Sequence, residues 1–160
     1  MNEELFKMVF YFETDAISVF DVIQWAMNQF INGNKSKSIL QLASITRNEK
    51  DRVRILLMQS LQDLGFDYPS DQALGFYRAK LVSKEMIKGK IPPLKGCRII
   101  GGIGSDLEWP EILADFRLLN QQSTDLETAI LNEEEFSKTI ISSAYKLISH
   151  VNSVLNQEQH

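Results

Sequence analysis

The side chains that could do chemistry are few, and their spacing does not favour it. His150 and His160 stand ten residues apart, and Cys97 is the only cysteine. A structural zinc site needs about four Cys, His or carboxylate ligands, so metal binding fails on inventory and no cofactor is expected. Cys97 has Lys95 and Arg98 beside it, and cationic neighbours favour a reactive thiolate. No base stands near it in sequence, and a lone cysteine commonly behaves as a small buried apolar residue. His150 falls in the last turns of a helical pattern, where a polar or positive group suits the helix dipole. No acid, base and nucleophile converge in sequence, so the chain is read as a non-enzyme.

Two patterns imitate nucleic-acid sites. Ile99-Ile100-Gly101-Gly102-Ile103-Gly104 looks like the G-x-x-G loop with which KH domains clamp a nucleic-acid backbone. However, Gly102 and Ile103 carry no charge, Pro110 interrupts the helix that should follow, and no three-stranded sheet is available. The run also lacks the third glycine and the later acid of a dinucleotide fingerprint. Residues 78–98 hold Arg78, Lys80, Lys84, Lys88, Lys90, Lys95 and Arg98 against one acid, Glu85. Lys80, Lys84 and Lys88 repeat at steps of four, a stripe able to meet phosphates or to face solvent near a helix end.

Charge is segregated along the chain. Residues 1–34 carry five acids and one base, residues 35–98 thirteen bases and six acids, and residues 99–160 three bases and ten acids. The net charges are thus −4, +7 and −7, which sum to the overall −4. Such blocks either steer a partner of opposite sign or neutralise one another in the fold. In the last block Asp106, Glu108, Glu111 and Asp115 surround Trp109, and Glu133, Glu134 and Glu135 open the final helix. Each carboxylate suits a helix N-terminus. Together with an aromatic anchor they would also suit a basic protein partner.

The elements that must position these residues are helical. The length of 160 residues, 44% apolar and 24% charged, is ordinary for one globular domain. Apolar residues recur at steps of three and four in nearly every segment. Thr14 or Asp15 is expected to cap a helix carrying Ile17, Phe20, Ile23, Met27, Phe30 and Ile31, which Gly33 ends. Asn48 and Gly65 bracket a helix whose face is Val53, Leu56, Leu57, Leu61 and Leu64. Ser70 opens a helix ending at Gly89, with Leu74, Tyr77, Leu81 and Ile87 inward, and Pro92 and Pro93 open a short one. Gly101, Gly102 and Gly104 read as a flexible break, and Pro110 starts another helix. Thr124 and Glu127 fit a capping box. Asn132 caps a long last helix with Phe136, Ile140, Ala144, Leu147, Val151 and Val154 inward. Met8–Phe12 and Cys97–Ile100 are the two candidate extended stretches. The expectation is an all-α fold: one compact bundle of about seven or eight helices over residues 1–160, with residues 157–160 a frayed tail. Phe20, Ile23, Leu56, Leu57, Leu61, Phe116, Ile140 and Leu147 are its expected core. No apolar run approaches the roughly 20 residues of a membrane span, no secretory leader is read, and a cytoplasmic location is expected.

Ile87-Lys88-Gly89-Lys90-Ile91-Pro92-Pro93-Leu94-Lys95-Gly96, with Val22-Ile23-Gln24-Trp25-Ala26 upstream, resembles small bacterial helical proteins whose helix ends in a pattern like Ile-x-x-Gly-x-Ile-x-Pro. The resemblance covers about residues 16–120, and its motifs are helix stops and packing glycines. It implies no enzyme activity. It implies an immunity or accessory role beside a toxin, by an analogy of context. The expected function is therefore a protein-binding module, an immunity protein that neutralises a bacterial toxin. Asp106, Glu108, Trp109, Glu111, Asp115, Glu133, Glu134 and Glu135 are its expected contacts. Nucleic-acid binding through residues 78–98, or a ligand-binding or enzymatic site formed by residues distant in sequence, is the alternative.

Overall fold

A computed structural model describes residues 3–47, 49–126 and 133–157. All regular structure among them is helical: α1 (Glu3–Glu13), α2 (Val19–Ile31), α3 (Lys37–Ala43), α4 (Lys50–Asp63), α5 (Asp71–Ile87), α6 (Pro93–Asp106), a 3-10 turn (Glu111–Leu113), α7 (Ala114–Leu126) and α8 (Glu133–Gln157). The all-α expectation holds. The chain divides into two compact units, Met1–Ser70 and Asp71–His160.

In the first unit α1 ends through Asp15, a non-glycine residue at φ +57°, with the Ala16 amide bonded back to Tyr11 at 2.8 Å. Thr14 and Asp15 thus belong to the exit of α1, and Ser18 caps α2. The Ser18 amide donates to Asp21 at 2.7 Å and the Asp21 amide to Ser18 Oγ at 3.3 Å, a complete capping box. α2 buries Val19, Val22, Ile23 and Ala26. Phe20 is 59% exposed and Ile31 78%, so the expectation that Phe20 lies in the core is wrong. Both sets have helical spacing because α2 is apolar on two flanks. The small residues Val22 and Ala26 face inward, where they let the neighbouring helices approach closely. Ser36 caps α3, and Ser38 donates a hydrogen bond to Asp63 at the end of α4. α4 buries Val53, Leu56, Leu57 and Leu61, as its spacing predicts. The expected cap Asn48 lies outside the described residues.

In the second unit α5 buries Ala73, Phe76, Tyr77, Ala79, Lys80, Ser83 and Met86; of the expected inward residues Tyr77 is buried, while Leu74, Leu81 and Ile87 are half-buried. Gly89 stops α5 at φ +73°, a conformation that disfavours residues with a Cβ. Pro93 then opens α6. The expected break at Gly101, Gly102 and Gly104 is absent, because all three lie within α6. Three of its glycines are sites of close approach. A Cβ on Gly96 would meet Met86 Sδ at 2.0 Å, one on Gly101 Asn120 Cγ at 2.7 Å, and one on Gly104 the Trp109 ring at 2.6 Å. The extended readings of Met8–Phe12 and Cys97–Ile100 fail likewise, since both stretches are helical. Thr124 sits inside α7 and starts no new helix, while Glu127 and Asn132 lie outside the described residues. α8 buries Ile140, Ala144, Leu147 and Val151. The expected tail passes beyond the described residues after Gln157.

Candidate functional site

The acidic corner is built by the way α6 ends. The amides of Leu107, Glu108 and Trp109 fold back onto Ile103, Ser105 and Gly104, the last at 2.7 Å. This turn holds Glu108 and Trp109 at φ +59° and +56°, a left-handed pair of L-residues that costs roughly 1–2 kcal/mol per residue. The indole of Trp109 lies against Gly104, with the Arg117 guanidinium 6.0 Å from its ring centroid, and stays half-buried. Pro110 then turns the chain into the 3-10 turn and α7. Asp106, Glu108, Glu111 and Asp115 are all exposed. Among the described residues none of these four carboxylates is in an ion pair.

Glu111 and Asp115 also line a shallow cleft of about 70 Å³, shared with Ser143, Lys146 and His150 of α8. That space holds a few waters. Ser143 and His150 are seven residues apart, about 10 Å along the helix, and no hydrogen bond joins them. The cleft therefore contains no paired nucleophile and base. Lys146 and His150 set positive or polar groups beside this edge of the acidic patch.

Glu133, Glu134 and Glu135 occupy the first turn of α8 and are exposed. Glu134 pairs with Lys138 at 2.7 Å. Twelve residues separate Glu134 from Lys146, about 18 Å of helix rise. The acidic group that sequence placed on one surface thus divides: Asp106 to Asp115 form a corner, and the α8 glutamates lie well along the helix from it.

The row of Lys80, Lys84 and Lys88 is not uniformly solvated, although Arg78, Lys88, Lys90, Lys95 and Arg98 are exposed. Lys80 is 7% exposed, its ammonium 5.4 Å from the Tyr77 ring centroid. Lys88 and Lys90 pair with Glu85 at 3.4 and 3.0 Å, and the hydrogen bond from Lys90 leads in holding the Glu85 carboxyl below its ordinary range. The glycine run is helical, so it offers no G-x-x-G loop. Cys97 is fully buried; burial pushes its thiol up to about 11, against a downward pull from Arg98. It is a thiol and not a thiolate near neutral pH. Among the described residues no three His, Cys, Asp or Glu side chains are grouped to hold a metal.

Sequence reasoning missed a polar cluster in the first unit. Arg54 grips Glu13 with two nitrogens, Nε at 2.8 Å and Nη2 at 2.7 Å, and the Tyr68 hydroxyl donates to the same carboxylate. Burial alone would raise the Glu13 carboxyl, but hydrogen bonds from Arg54 and Tyr68 outweigh it and hold it below its ordinary range. Burial, then the bond to Glu13, pushes the Tyr68 phenol far up. Nearby, a half-open cleft of about 460 Å³ is walled by Leu5 and Met8 of α1, Trp25 of α2, and Leu64 and Phe66. The three polar residues are 55 or fewer positions apart yet share no periodicity, so no local signal joins them.

No protein-family model matches the chain, and comparison with curated proteins and with solved structures finds no match. In the helix-stop pattern, moreover, Ile87 precedes Gly89 by two residues, where the pattern asks for three.

Proposed function

We propose that the chain is a protein-binding module that engages a basic protein through the acidic corner of its second unit. The observation that carries this reading is the set of four exposed carboxylates, Asp106, Glu108, Glu111 and Asp115, close in sequence to the half-buried Trp109 and in no ion pair among the described residues. Unpaired surface carboxylates speed encounter with a cationic partner, and an aromatic residue within such a patch is the usual source of binding energy. The α6 turn fixes both, so little ordering is needed on binding. The partner class that fits is a toxin whose nucleic-acid-binding surface is cationic, with this chain as its cytoplasmic immunity protein. Charge complementarity supports that narrower form. Glu133 to Glu135 would contribute at the margin of the contact.

The test is co-expression with a toxin encoded beside the gene, scored by complex formation and growth rescue. Trp109→Ala should weaken the complex by at least about 2 kcal/mol, as an interface anchor does. Glu108→Lys with Glu111→Lys should slow association and reduce its salt dependence. Failure to associate or rescue ends the immunity reading. Intact rescue and affinity in the charge-reversed protein ends the assignment of the surface.

A further inference from the structure

The segment 64–70 leaves α4 and leads into α5 without regular structure of its own. The Phe66 amide still bonds back to Leu61 at 2.9 Å. Beyond it, Asp67 and Tyr68 donate no backbone hydrogen bond among the described residues. The phenol of Tyr68 on Glu13 is thus the side-chain bond that fastens this stretch to α1. Arg54 of α4 holds the carboxylate in place by its two-nitrogen grip, with Glu13 and Arg54 side chains 18% and 36% exposed. Leu64 and Phe66, in the same segment, form one wall of the 460 Å³ cleft against Trp25, Leu5 and Met8.

We propose that Glu13, Arg54 and Tyr68 form an acid-released clasp: ionised Glu13 fastens the 64–70 segment and closes the Leu64 and Phe66 wall on the cleft, and protonation of Glu13 frees it. The charged groups around Glu13 agree with this. α4 offers Arg54, whose other side meets Asp51 at 3.4 Å, and Lys50, which pairs with Asp15. The 64–70 segment offers Tyr68, which stays a protonated donor throughout the neutral range because its phenol is raised. The titratable residue of α2, Asp21, is engaged in its own capping box. The segment also carries Asp67, but Glu13 is the carboxylate that both Arg54 and Tyr68 bond. Its carboxyl is lowered, so the clasp is complete above the ordinary carboxylate range and lost as pH falls through the lowered value.

The test compares wild type, Glu13→Gln and Tyr68→Phe. At neutral pH, chymotrypsin cleavage after Phe66 should be on the order of tenfold faster in both variants, as expected for losing one hydrogen bond to a charged group. Exchange of the core amides Val53 and Leu57 should stay at the wild-type rate. On acidification, exchange of the Phe66 amide, corrected for its intrinsic pH dependence, should accelerate more steeply in wild type than in Glu13→Gln, which keeps only the contribution of Asp21 and Asp63. The proposal is overturned if cleavage is unchanged in both variants. It is also overturned if Val53 and Leu57 loosen together with Phe66, or if Glu13→Gln keeps the wild-type pH response.

Discussion

Gly102→Ala and Gly104→Ala, two positions apart on α6, should move stability in opposite directions. Alanine is favoured over glycine inside a helix by up to about 1 kcal/mol. At Gly102, which is exposed, an added Cβ finds no atom within 4 Å, so the propensity gain stands alone and Gly102→Ala should stabilise by about 0.5–1 kcal/mol. At Gly104 the added Cβ would lie 2.6 Å from Cε3 and Cζ3 of Trp109 and 3.2 Å from Cη2. Carbon atoms rest at about 3.5–4.0 Å, so the overlap is about 1 Å, against a rigid ring. Either the indole leaves its seat or the left-handed Glu108–Trp109 corner shifts. Overpacking of this kind costs about 1–3 kcal/mol, which leaves a net loss of up to about 2.5 kcal/mol after the propensity gain. Urea unfolding followed by far-ultraviolet circular dichroism measures each difference. If Gly104→Ala is as stabilising as Gly102→Ala and Trp109 emission is unchanged, the close-packing account of the α6 glycines is wrong.

Ser83 is fully buried and its hydroxyl makes no hydrogen bond among the described residues, so Ser83→Ala should raise stability by about 1 kcal/mol; a loss in urea unfolding would show that the hydroxyl has a partner. Cys97 should resist a thiol-reactive disulfide reagent in the native protein at neutral pH and react fully in denaturant, and rapid native labelling would contradict its burial. Asp21 and Asp63 are held low by hydrogen bonds from Ser18 and from Ser38 respectively. Their stabilisation is present above the ordinary carboxylate range, about pH 4, and is lost as pH falls through the lowered values. The urea midpoint of the first unit should therefore fall on acidification, and less steeply in Asp63→Asn.

The fold class and the α4 and α8 faces were legible because each of those helices is apolar on one side, so spacing decides which residues go inward. α2 was misread because Phe20, Met27 and Ile31 satisfy the same spacing as Val19, Val22, Ile23 and Ala26. Nothing in periodicity prefers the smaller set. The glycines of α6 were misread because propensity treats glycine as a breaker, whereas here Met86, Asn120 and Trp109 occupy the space a side chain would need. Lys80 looked solvated because a lysine at helical spacing normally is; its burial over Tyr77 is a tertiary fact. The acidic corner was legible because Asp106 to Asp115 are near neighbours in sequence. Its separation from Glu133 to Glu135 was not, since that depends on where along α8 the 3-10 turn packs. The Glu13, Arg54 and Tyr68 cluster joins residues from two helices and a connecting segment, and pairwise spacing holds no trace of such a contact.

The two tryptophans fall one to each unit, Trp25 beside Phe66 in the first and Trp109 on Gly104 in the second. Each unit therefore carries its own intrinsic fluorophore in a different setting, one beside an apolar cleft and one near a guanidinium. Removing either indole leaves an optical reporter confined to the other unit. In Trp109→Phe protein, emission follows the 64–70 segment through Trp25. In Trp25→Phe protein it follows the acidic corner, where an approaching partner would change solvent access to the ring without any label being attached.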